Sequence, residues 1–320
     1  MTETMGVYQI CGLTVASEID LPCAKPVDTQ GADPDVTLRR GRVPSQLEKP
    51  ISSGPIWEVE EGRMLLRIPK VARFLMTKGR EVLFEPEKGS GDENLAIFLL
   101  GSALGGLLHQ RGCFLIHGSA VAVNGAAAVF CGKSGSGKST LAAALSLAGY
   151  PVITDDMCLV RFNGKGRPTL MPDGRSIKLW SDTIKGLEMD PQRHEAIRPC
   201  ISKYWVDPPA SHLSQPLPIG ALYFIREKRA PFLTAGISPM KTLDAMELLR
   251  DNAYRQRLVK VMNQEKAWFE DSIAIFRRGV RAYWLTIPRQ FDALRECVEG
   301  LSDHWRDIAL TLHASTHDHV

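Results

Sequence analysis

Nine residues, Gly132-Lys-Ser-Gly-Ser-Gly-Lys-Ser-Thr140, constrain this chain more than any other stretch. They fit the pattern G-x-x-x-x-G-K-[ST] without departure. Backbone N–H groups can wrap phosphate oxygens only where side chains do not intrude, which accounts for Gly132, Gly135 and Gly137 among Lys133, Ser134 and Ser136. In that pattern Lys138 reaches the β- and γ-phosphates, the Ser139 hydroxyl is placed to ligate Mg2+, and Thr140 continues into a helix. A flexible Gly/Ser loop is the bland alternative, and the flanks argue against it. Upstream, the apolar runs Ser119–Val123 and Ala126–Cys131 enclose Asn124-Gly125. That is a hairpin signal, because a type I′ turn needs φ > 0 at both central residues. Downstream, Ser139–Ala148 holds strong helix formers, and Gly149 suits the C-terminal cap. Strand, glycine loop and helix follow in the order the motif requires.

The rest of the composition mostly excludes. A chain of 320 residues with 44% hydrophobic and 23% charged residues is long enough for one large or two modest domains. A net charge of +3 is too small to argue for nucleic acid. Seven cysteines with no C-x-x-C pair point to reduced thiols in a cytoplasmic protein. The opening MTETMGVYQI has no signal-peptide pattern. The longest apolar stretch, Ala96–Leu108, is too short to span a bilayer and reads as a buried helix packed closely on a neighbour. No membrane partner is expected.

Residues 1–90 hold seven short β-type runs separated by Gly, Pro or charged turns, and read as a β-rich N-terminal domain. Lys88–Asp92 is the best break, so residues 91–320 form the second domain, opening with a helix over 93–110. Residues 171–218 are proline-rich with few periodic runs, which fits a lid, a binding surface or unresolved short elements. Leu217–Arg226 and Pro231–Ile237 read as strands, Leu243–Arg278 as one helix or two, Val280–Ile287 as a strand, and 289–312 as a last helix. His313, His317 and His319 belong to a frayed tail.

Two further features carry chemistry. Asp155-Asp156 follows the apolar strand Pro151–Thr154, one helix and one strand beyond Lys138. Adjacent carboxylates there can divide the work, one serving Mg2+ and one accepting a proton; a pair of turn or cap aspartates is the structural alternative. His117, closing Phe114-Leu-Ile-His, either supports an aspartate or is a satisfied core histidine. Lys178, Lys203, Arg250 and Arg255 are candidate cations for a transferring phosphoryl group or solvated surface charges.

Taken together, Ile116-His-Gly-Ser-Ala-Val, the Asn-Gly hairpin, the glycine loop and Gly149-Tyr-Pro-Val-Ile-Thr-Asp-Asp156 resemble the catalytic domain of HPr kinase/phosphorylase. That family carries a His-Gly, a GDSGVGKS-type loop and an Ala-Asp-Asp in the same order, and the resemblance covers about residues 112–160. It implies an α/β (α+β) fold of the phosphoenolpyruvate carboxykinase type, with a mixed, mostly antiparallel β core carrying the phosphate loop. It further implies ATP and Mg2+ as cofactors, Asp155 as base, Asp156 on the metal beside Ser139, and His117 supporting Asp155. HPr kinases are hexamers, so a homo-oligomer is left open. The N-terminal 90 residues and the missing glycine-rich signature depart from true HPr kinases, so phosphorylase activity and the HPr substrate do not carry over.

The layout is more similar to the HPr-kinase-like proteins of lasso-peptide biosynthesis. The shared features are Tyr8-Gln-Ile-Cys-Gly-Leu-Thr-Val, Ile177-Lys-Leu-Trp180, Lys203-Tyr204 and Asn252-Ala-Tyr-Arg255. The expected activity is ATP-dependent phosphorylation of a Ser or Thr hydroxyl on a peptide or small protein, such as the C-terminal serine of a lasso precursor. A nucleotide-dependent switch or ATPase and a small-metabolite kinase are the alternatives.

Overall fold

The computed structural model describes residues 5–28, 31, 33–162, 166–189, 195–198, 201–210, 215–226, 236–287 and 291–308. The first eight strands are β1 (Gly6–Ile10), β2 (Leu13–Ser17), β3 (Val36–Arg40), β4 (Ser52–Gly54), β5 (Trp57–Glu60), β6 (Arg63–Ile68), β7 (Ala72–Thr77) and β8 (Glu81–Pro86). They form one sheet in the order β1-β2-β3-β8-β7-β6-β5-β4. Its apolar face is covered by α1 (Asp92–Phe98), a π-helical turn (Leu99–Ala103) and α2 (Leu104–Gln110). Leu95, Leu99, Leu104, Leu107 and Leu108 from these helices are buried against Phe74, Met76 and Phe84. The close packing expected of the glycines here is real at Gly105, where an added Cβ would come within 2.5 Å of the Tyr254 ring. The same core takes in Leu115, Met157, Leu159 and Tyr254, all beyond residue 110.

The second sheet contains β9 (Phe114–Ile116), β10 (Gly118–Val123), β11 (Ala126–Cys131), β12 (Val152–Asp155), β13 (Cys158–Phe162), β14 (Pro168–Leu170), β18 (Leu217–Arg226), β19 (Gly236–Pro239) and β20 (Arg281–Thr286). β11–β18 and β18–β20 are parallel, while the other six pairings are antiparallel. This is a mixed α/β architecture with several sheets. The hairpin forms as Asn124-Gly125 dictates, with φ of 48° and 82° at the turn and Val123 opposite Ala126.

Every residue of β11 is buried because helices cover both faces of the sheet. On one face lie α3 (Lys138–Leu147) and α8 (Phe291–Asp307), where Leu141, Leu145, Leu301 and Trp305 meet Phe130 and Tyr223. On the other lie α5 (Thr242–Asp251), α6 (Gln256–Val261) and α7 (Glu265–Arg277), where Leu249, Trp268 and Ile275 meet Val129 and Leu222.

The proline-rich stretch resolves into short elements. β15 (Ile177–Trp180) leads into α4 (Ser181–Gly186), and β16 (Glu195–Arg198) with β17 (Ile201–Val206) completes a three-stranded sheet ordered β15-β17-β16. The strand expected over 231–237 falls mostly on 227–235, outside the described residues, as do His313, His317 and His319. Among the described residues no helix is long and apolar enough to cross a membrane.

Candidate active site

β11 delivers the chain to Gly132, and α3 takes it up at Lys138. Gly137 caps that helix with φ 93°, a left-handed conformation that favours glycine. The Lys138 ammonium is buried and donates to the carbonyls of Gly132 at 2.7 Å and Lys133 at 2.9 Å, spanning the start of the loop. Desolvation lowers its pKa, against the pull of nearby acidic groups. Ser136 turns on the Lys133 carbonyl, and its own Oγ is buried with no partner among the described residues. A buried hydroxyl without a partner and a row of helix-start N–H groups are what a phosphate oxygen would satisfy.

Asp155 ends β12 opposite Ser119 of β10. Its Oδ1 accepts from Ser119 Oγ at 2.6 Å and from Ser139 Oγ at 2.8 Å, and its Oδ2 faces the Lys178 backbone N–H at 3.3 Å. Both oxygens of this buried carboxylate are therefore engaged.

Asp156, with φ 73°, turns the other way, and about a third of its side chain is exposed. His117 lies on Asp156, not on Asp155 as the resemblance implied. Its Nδ1 is 3.0 Å from the Asp156 carbonyl and 3.2 Å from Oδ1, while Lys178 Nζ stands 3.9 Å from Oδ2. The reason is local: Ser119 Oγ and Ser139 Oγ take up the Asp155 carboxylate at the end of β12, and its neighbour Asp156, one residue on and so on the other side of the chain, meets His117. Burial pushes the Asp156 carboxyl up, but the His117 contact and the Lys178 charge outweigh it and hold it below the ordinary carboxylate range. Burial lowers the Lys178 ammonium, against the attraction of Asp156.

Two cavities meet at this point, and His117, Ser134 and Asp156 line both. The smaller, about 360 Å³, runs along Gly135, Gly137, Ser139 and Thr140 to Thr183 and Trp180. The larger, about 930 Å³, opens beside Gly132, Lys133 and Ser136 toward Arg226, Tyr254 and Arg255. Of the four candidate cations, Lys178 and Lys203 line the smaller cavity and Arg255 the larger. Arg250 lines neither; it is exposed and lies 3.7 Å from its neighbour Asp251.

Beneath the site, Thr154 Oγ1 reaches the Met157 carbonyl at 2.8 Å and Asp173 Oδ2 at 3.4 Å, bracing the turn that presents both aspartates. Asp173 pairs with Arg175, whose Nη1 donates to the Leu100 carbonyl in the π-helical turn at 2.6 Å. Sequence reasoning missed Ser119, Asp173 and Arg175. Ser119 was within reach of it, being the cross-strand partner of Asp155 once β10 and β12 are paired.

Mg2+ prefers oxygen ligands and is commonly held by one or two carboxylates plus substrate phosphates. Ser139 Oγ with Asp155 is such a donor set. Among the described residues no cluster of three or more His, Cys, Asp or Glu side chains forms a self-sufficient cage.

No protein-family model matches this chain, and no curated protein does. Among solved structures, the HPr(Ser) kinase/phosphatase from Coxiella burnetii aligns over 61% of this chain and 98% of its own, at 9% identity and a TM-score of 0.33. A likeness that distant leaves the geometry of the site to carry the functional reading.

Proposed function

We propose that this protein is an ATP- and Mg2+-dependent kinase that transfers the γ-phosphoryl group to a Ser or Thr hydroxyl of a peptide or small protein. The observation that carries this reading is the split pair of carboxylates beside the glycine loop: Asp155 on the Ser139 hydroxyl, Asp156 facing both cavities with His117 on its flank. A nucleotide switch requires no acceptor base, so a second carboxylate facing the larger cavity favours transfer to an acceptor over a switch.

The loop amides and Lys138 hold the phosphates, and Ser139 with Asp155 would hold Mg2+, which when bound neutralises phosphate charge. This exchanges the two aspartate roles implied by the resemblance. A base must face the acceptor: Asp156 lines both cavities, whereas Asp155, held by Ser119 and Ser139, lines only the smaller one beside the phosphate loop. Asp156 therefore accepts the acceptor proton as the hydroxyl oxygen bonds the γ-phosphorus and the bond to the bridging oxygen of ADP breaks. Its lowered pKa suits a loose transition state, in which orienting the nucleophile matters more than strong basicity. His117 fixes the carboxylate, and Lys178 sits where charge on the transferring group can be met.

The first acceptor to test is the C-terminal serine of a lasso-type precursor peptide, followed by unrelated Ser/Thr peptides and small hydroxylated metabolites. Incubation with γ-labelled ATP and mass spectrometry of the acceptor should show a phosphorylated hydroxyl. Slow ATP hydrolysis with no stable phosphorylated product across these classes would favour the switch instead.

A further inference from the structure

The two cavities differ in which end of the glycine loop they touch, and that difference gives the site a direction. The Lys138 ammonium lies against the carbonyls of Gly132 and Lys133, so the start of the loop is the end for the β- and γ-phosphates. The loop start, Gly132 and Lys133 with Ser136, borders the larger cavity, while the Lys138 side chain itself lines the smaller one. The first helical turn also borders the smaller one: Ser139, placed on Mg2+, belongs with the β- and γ-phosphates, and the Thr140 N–H beyond it is left for the α-phosphate. A nucleotide lying along the loop must send its nucleoside out past Thr140.

Beyond Thr140 stands Thr183, their hydroxyls 3.2 Å apart, and beyond Thr183 the indole of Trp180 at the start of α4. Trp180 is 53% exposed and is the only tryptophan among the exposed large hydrophobic side chains of the described residues. It sits on a patterned face. In the β15–β17 ladder Lys178 is opposite Trp205 and Trp180 is opposite Lys203, and each ammonium lies over its partner's ring, at 4.9 and 5.3 Å from the centroid. Lys178 and Trp180 are two residues apart and so share one face of the sheet. That face turns a cation to Asp156 and an aromatic ring to the mouth of the same cavity. An aromatic plate backed by a cation on one side is a stacking surface for a flat, electron-rich ring.

From this we infer that Trp180 is the platform on which the nucleobase stacks, and that the larger cavity, at the γ-phosphate end, is left for the acceptor. The inference rests on the phosphate-loop reading above but adds to it a direction and a base-binding residue. The direction also explains why His117 and Asp156 line both cavities: they stand where the terminal phosphate and the acceptor meet.

The test compares ATP with tripolyphosphate, which has the phosphates and no base, by calorimetry in Mg2+ on the full chain. Base–aromatic stacking predicts that Trp180→Ala weakens ATP binding by roughly 5- to 150-fold while tripolyphosphate binding stays within about twofold. Trp180→Phe should restore most of the ATP affinity. Trp180 is exposed, and circular dichroism of each variant checks that the fold is kept. Unchanged ATP affinity in Trp180→Ala would overturn the inference. So would an equal loss for both ligands, which would mean that Trp180 only props the loop. If the unmodified protein binds neither ligand, the phosphate-loop reading itself fails, an outcome distinct from the other two.

Discussion

Removing the Asp173 carboxylate should unfold this protein far more readily than its distance from the glycine loop suggests. Asp173 and Arg175 are 2% and 5% exposed and joined by two hydrogen bonds, Nε to Oδ1 at 2.6 Å and Nη2 to Oδ2 at 2.9 Å. At 2.6 Å and an effective dielectric of 20 their gross attraction is about 6 kcal/mol, most of which offsets the cost of taking both ions out of water. Burial disfavours the Arg175 charge, but the Asp173 carboxylate outweighs it and keeps the guanidinium protonated. Asp173→Ala strands that charge and also frees Thr154 Oγ1 and the Cys11 thiol of a partner. The expected loss is about 3–5 kcal/mol in urea denaturation. Asp173→Ala with Arg175→Met should recover much of it, because the damage lies in the unpaired ion and not in the missing pair. A loss below about 1 kcal/mol in the single variant, or a double variant as unstable as the single, would refute this reasoning.

Two further outcomes follow from the site geometry. His117→Ala removes the main contact holding the Asp156 carboxyl down and leaves burial pushing it up, so the acid limb of the pH–rate profile should move toward neutral pH. The unmodified protein should keep its rate below the ordinary carboxylate range, and superimposable acid limbs would count against a role for His117. Ser119→Ala deletes a fully buried donor to Asp155, so thermal or urea unfolding should show a loss of about 1.5–3 kcal/mol, and a change within about 0.5 kcal/mol would show that this hydrogen bond is not needed.

What could be read from the sequence was local. The glycine loop, the Asn124-Gly125 hairpin and α3 are each specified within a dozen residues, by positive-φ demands and helix propensity, and tertiary context did not override them. The strands of the first sheet were legible for the same reason, as short alternating runs between turn residues, with only the three-residue β4 missed. What failed was pairing over distance. In the stretch holding β15, β16 and β17, short elements were left open but not placed, because prolines interrupt the apolar alternation and the strands find each other only in the fold. Asp173 and Arg175 lie in that same proline-rich stretch, and nothing in the sequence says that Arg175 will meet the Leu100 carbonyl. The carboxylates were found but their partners were exchanged, because adjacent side chains point to opposite sides of the chain and only the paired strands show which side His117 is on.

The division of labour between those two carboxylates is the central claim, and it can be tested without knowing the acceptor. ATP affinity should be measured with and without Mg2+ for the unmodified protein, Asp155→Asn and Asp156→Asn. The account predicts that Mg2+ tightens ATP binding in the unmodified protein and in Asp156→Asn, and that Asp155→Asn loses most of this gain. Loss of the Mg2+ effect in Asp156→Asn with its retention in Asp155→Asn would contradict the account and return the metal to Asp156.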